Sequence, residues 1–79
     1  MPSDDHAEEI QRQRWAVGAR LRVLRRERGY SQVQLAERIG IDHRTISRIE
    51  NGVHATDIDM LWRISNGLGV ESWQLFRDE

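Results

Sequence analysis

Cysteine is absent from this chain of 79 residues. That excludes a disulfide staple and a cysteine-based metal centre, and it fits a reducing compartment. Lysine is absent too, so all twelve basic side chains are arginine. No apolar run approaches the roughly 18–20 residues of a membrane span. The acidic, polar N-terminus does not read as a signal peptide, which makes the cytoplasm the expected location. No glycine-rich loop follows a strand, so no nucleotide cradle is visible and no cofactor is implied. The three histidines, His6, His43 and His54, have no i, i+4 spacing that would suit a metal. Nothing alternates with period two over a useful length, so no strand is expected. With no arrangement of nucleophile, base and acid either, an enzyme is not expected.

What is present is unevenly charged. The net charge is −1, but residues 1–9 carry Asp4, Asp5, Glu8 and Glu9. Residues 10–50 carry ten arginines against Glu27, Glu37, Asp42 and Glu50, and residues 51–79 are acidic again. A polyanion would meet the basic middle rather than the average. Arginine suits such a partner, because its planar fork matches phosphate and guanine in bidentate geometry. An arginine-rich composition can also arise from genome bias alone.

The middle and the end of the chain divide into helices. Asp5 with Glu8 reads as a capping box that opens a first helix near His6. Its apolar stripe is Ile10, Val17, Leu21 and Leu24. Gly29 stops it, and Arg25, Arg26 and Arg28 complement the negative end of its dipole. Ser31 with Gln34 opens a second helix, with Leu35, Ala36 and Ile39 inward and Gly40 at its end. Asp42 caps a third, which stops at Asn51-Gly52. Thr56 with Asp59 opens a fourth, with Ile58, Leu61, Ile64 and Leu68 inward and Gly69 closing it. Glu71 to Arg77 forms a short fifth helix that buries Leu75 and Phe76. No linker divides the chain.

The third helix is the most informative. At about 100° per residue, Ile46 and Ile49 point one way, while Arg44, Ser47 and Arg48 point opposite, with His43 at the edge. A solvated arginine face is the plain alternative. The preceding helix turns its own apolar face to the same core, Ala36 permits close approach, Gly40 permits a tight turn and Ile41 fills the corner. This is the layout of a helix-turn-helix, whose second helix enters the DNA major groove.

The segment "LRVLRRERGYSQVQLAERIG", then "ISRIENG", then the spaced apolar residues of 58–76 resemble the Cro/CI-type (Xre) helix-turn-helix family of bacterial and phage repressors. The resemblance runs from about Val17 to Phe76. It implies an all-α, five-helix, lambda-repressor-like domain over residues 17–79, with residues 1–16 as an extension continuing into the first helix. It places His43, Arg44, Ser47 and Arg48 opposite DNA bases, and Gln32, Thr45 and Asn51 against phosphates. Gln32 can also brace a residue of the recognition helix. Arg25 and Glu50 match a partly buried ion pair between the first and third helices.

The implied partner is double-stranded DNA, bound as a homodimer on an inverted repeat, with no membrane or small-molecule ligand. Trp62, off the inner stripe of the fourth helix, and Trp73, at a position the family usually gives to a polar residue, are candidates for the dimer surface. An antitoxin-like module that binds a protein and touches DNA secondarily is the alternative. Thr56, Gly67 and Glu71 depart from the family's usual residues.

Overall fold

The computed structural model describes residues 4–53 and 55–76; side chains are described from His6 onward. Four α-helices run Asp4–Glu27 (α1), Gln32–Ile39 (α2), His43–Glu50 (α3) and Ile58–Leu68 (α4), followed by a 3-10 helix over Ser72–Phe76. The five expected helical segments are all present, the last in the tighter 3-10 form, and the described residues contain no strand. His54, Arg77 and the side chain of Asp5 with its capping box lie outside the described residues.

One core joins all five elements. Leu21 and Leu24 of α1 meet Leu35 and Ala36 of α2, Ile46 and Ile49 of α3, Ile64 and Leu68 of α4, and Leu75. Val17, Tyr30, Ile39 and Ile41 pack around them half-buried. Positive-φ glycines make the tight stops after α2 (Gly40, φ 75°) and α4 (Gly69, φ 72°), a region where an L side chain crowds its own backbone.

Four expectations need correction. Ile10 has the right helical phase for the α1 stripe, yet it is 51% exposed. At 1.5 Å per residue it sits about 16 Å along α1 from Leu21, past the main core. There it only lines an apolar crevice of about 300 Å³ with Val17, Ile49, Leu61 and Phe76. Ile58 is 81% exposed, because it lies about 100° off the buried face centred on Ile64 and Leu68. The cap of α4 is Asp57, whose carboxylate accepts from the Met60 N–H at 2.8 Å, so the Thr56–Asp59 box is displaced by one residue. Phe76 is exposed, because the 3-10 segment turns Leu75 inward instead.

Gly67 answers one of the family departures. It is buried in α4, and a Cβ there would run into the Ile39 Cγ2 methyl of α2. The glycine lowers helix propensity by about 1 kcal/mol and in return lets the two helices touch.

Candidate nucleic-acid interface

The segment Ser31–Asn51 builds this surface from local signals. Ser31 caps α2 reciprocally: its hydroxyl accepts from the Gln34 N–H at 3.0 Å, and the Gln34 side-chain Oε1 accepts from the Ser31 N–H at 2.8 Å. Gly40, Ile41 and Asp42 make the turn, and the Ile41 N–H reaches back to the Ala36 carbonyl at 3.0 Å. Asp42 then caps α3 by accepting from the Arg44 N–H at 2.9 Å. That hydrogen bond holds the Asp42 carboxyl below its ordinary pKa; slight desolvation opposes it, and the charges of Arg44, His43 and Arg48 add to it.

The eight residues of α3 divide sharply. Ile46, Ile49 and Glu50 are buried, whereas His43, Arg44 and Arg48 are exposed and Thr45 and Ser47 are half-exposed. The inward face of α3 is therefore anchored, and its outward face is short-chained and basic. Arg44 and Arg48 lie about 40° apart on that face.

Glu50 is the anchor. Its carboxylate receives Arg25 Nε at 2.6 Å and Arg25 Nη2 at 3.1 Å, Gln32 Nε2 at 3.0 Å and Arg22 Nε at 3.4 Å. Arg25 also donates to the Tyr30 carbonyl at 2.7 Å. Helices α1, α2 and α3 thus meet on one buried carboxylate. Burial pushes the Glu50 carboxyl up, but hydrogen bonds from Arg25, Gln32 and Arg22, with the Arg25 charge, outweigh it, so its pKa lies below the ordinary 4.5. No buried side-chain polar atom among the described residues lacks a partner.

Gln32, half-exposed, is tied through its amide nitrogen to Glu50. Arg22, which sequence reasoning missed, spans the same corner: its second nitrogen donates to Asn51 Oδ1 at 3.2 Å, and Asn51 Nδ2 lies 3.5 Å from Ser47 Oγ. Arg22 is three residues before Arg25, so helical spacing was the signal that could have found it. Gly18 was missed as well. A Cβ there would collide with the carbonyl oxygens of Ile49 and Glu50, so the α1 backbone rests directly on the last turn of α3. A glycine inside an otherwise helical pattern is the signal for such an approach.

Trp62 and Trp73 lie exposed on α4 and the 3-10 helix, and Arg20 Nε ties α1 to the latter through the Gln74 carbonyl at 3.1 Å. The described residues contain no cluster able to hold a metal ion and no helix long and apolar enough to cross a membrane.

An anchored α2–turn–α3 unit with a basic outward face on α3 defines a small helix-turn-helix DNA-binding domain. Comparison with known proteins agrees. The chain belongs to the helix-turn-helix family of Cro/CI (Xre) type, whose model matches residues 21–72. It is similar to the restriction-modification controller protein C.AhdI from Aeromonas hydrophila: 30% identity, TM-score 0.78, covering 80% of this chain and 96% of that one. A hypothetical transcription factor from Neisseria, NHTF, gives a TM-score of 0.81 at 26% identity, covering 87% of this chain and 79% of that one. The transcriptional regulator SlrR of Bacillus subtilis is 38% identical over 64 residues, or 80% of this chain and 42% of SlrR. RamB of Mycobacterium tuberculosis, also a transcriptional regulator, is 39% identical over 56 residues, or 71% of this chain and 12% of RamB. The chain therefore spans less than half the length of these two curated relatives.

Proposed function

We propose that this protein is a cytoplasmic, sequence-specific regulator of transcription that reads the major groove of double-stranded DNA with α3, as a homodimer on an inverted repeat. The observation that carries this reading is the division of α3: one face locked into the core through Ile46, Ile49 and Glu50, the other offering Arg44 and Arg48 to solvent. Each of these arginines can fork onto guanine O6 and N7, worth about 1–3 kcal/mol of discrimination. His43 and Ser47 complete the base-reading face.

Thr45 and Asn51 hold the register on phosphates. Gln32 adds a phosphate contact from the start of α2 while it braces Glu50. Residues 17–79 form the reading unit, and residues 1–16 are an extension that continues into its first helix. The similarity to a restriction-modification controller protein, over 80% of this chain, supports a regulatory role. The exposed Trp62 and Trp73 supply the dimer surface.

The test is selection of bound sequences from a random DNA pool. An inverted repeat with G·C pairs in each half-site is expected, and Arg48→Ala relaxes one position per half-site. No enrichment, with only weak salt-driven binding, refutes base reading. Sedimentation of Trp73→Glu checks the dimer: it shifts toward monomer, and a wild-type profile refutes the assigned surface.

A further inference from the structure

The N-terminal half of α1 lies before the stretch shared with the family, which begins at Leu21, yet it grips the end of α3. Gln11 Nε2 donates to the Gly52 carbonyl at 2.8 Å, across 41 positions of chain. Gly52 sits in the turn that leaves α3, at φ 72°, and is buried. A Cβ on Gly52 would run into the indole edge of Trp15 and then the Gln11 amide. Gln11 and Trp15 stand four residues apart, so they share one face of the helix.

Trp15 is not a core residue: it is 59% exposed. It lies as a lid on a backbone turn. That turn is the local end of the reading surface. Within it the Val53 N–H bonds the Arg48 carbonyl at 2.9 Å, and the Asn51 N–H bonds the Ser47 carbonyl at 3.0 Å. Helix ends fray unless something outside the helix holds them.

We propose that Gln11 and Trp15 are positioning residues that clamp the Asn51–Val53 turn. They thereby hold Asn51 at its phosphate and the last turn of α3 in register, without touching DNA. The upstream half of α1 is then a device that sets operator affinity, built onto a domain whose reading residues lie elsewhere. This inference rests on the DNA-binding reading above.

The experiment compares Gln11→Ala, Trp15→Ala and Asp57→Ala, the last weakening α4 through its cap and so controlling for general destabilisation. Amide hydrogen exchange is followed in the free chain of 79 residues. Affinity for the selected operator is measured against salt at a temperature where every variant is folded. In Gln11→Ala, exchange at Gly52 and Val53 accelerates about five-fold, the loss expected of one hydrogen bond, and in Trp15→Ala, which loses the indole cover, it also accelerates, while amides at Leu35 and Ile46 keep their protection in both. Operator affinity falls about five-fold, and the salt slope drops by about 0.9, one phosphate contact. Base preferences stay as in the wild type, and Asp57→Ala reproduces none of this.

Unchanged exchange at Gly52 and Val53 overturns the clamp, whatever the DNA result. Faster exchange with wild-type affinity overturns its role in binding. A wild-type chain that enriches no operator overturns the underlying reading instead, and the exchange contrast still separates that failure from the failure of the clamp.

Discussion

Substituting Gly18 by alanine sets two effects of opposite sign against each other. In a helix interior, Gly→Ala normally stabilises by about 1 kcal/mol, because glycine loses more backbone freedom on folding. In α1 the new methyl points into the carbonyl oxygens of Ile49 and Glu50. These are backbone atoms of α3 and cannot rotate aside, so the helices must separate. Overpacking of this kind costs about 1–3 kcal/mol. Arg25 lies two helical turns further along the same face, so separation also stretches its contacts of 2.6 and 3.1 Å to Glu50, at about 1 kcal/mol more.

The net expectation is a loss of about 2 kcal/mol, or about 8–16 °C in melting temperature for a domain of this size. Thermal unfolding followed by circular dichroism measures it. Ala19→Gly, at the exposed neighbouring position, calibrates propensity in the same helix and loses about 1 kcal/mol. If Gly18→Ala melts above wild type by what Ala19→Gly loses, the helices do not touch there and the reasoning is wrong.

Arg25→Ala leaves the Glu50 carboxylate buried with only Arg22 and Gln32 as donors. It is expected to cost about 3 kcal/mol in chemical denaturation, the low end for a broken buried pair, before any change in base preference. Because the Glu50 pKa is lowered in the folded state, its contribution is fully present above the ordinary value and is lost as pH falls through the folded one. Stability should therefore decline in acid below about pH 4.5, with a shallower decline in Glu50→Gln; identical acid limbs would contradict the linkage. At the start of α4, Asp57→Ala loses about 1 kcal/mol of capping while Thr56→Ala is nearly silent, and equal melting temperatures for the two would return the cap to Thr56.

Much of this protein is written locally. Ser31 with Gln34, the glycine at 40, Asp42 before α3 and the opposed faces of Ile46–Ile49 and Arg44–Arg48 act within one or two helical turns. Short-range rules therefore suffice to read them, and they define the helix-turn-helix. Other features depend on which helix lies beside which. Phase alone puts Ile10 in the core stripe, but only the length of the packed core shows that α1 outruns it. The spacing of Thr56 and Asp59 allows a capping box, but the path of the chain into α4 chose Asp57. Gly18 and Gly67 look like weak points in helices until Ile49, Glu50 and Ile39 are set against them. Gln32 and Arg22 resemble free polar residues until Glu50 is buried between them. Gln11 and Trp15 find Gly52 across some forty residues of chain. Local sequence determined the elements and the chemistry of the outward face of α3. Tertiary packing decided what anchors that face, because burial and close approach belong to pairs of helices and not to either one alone.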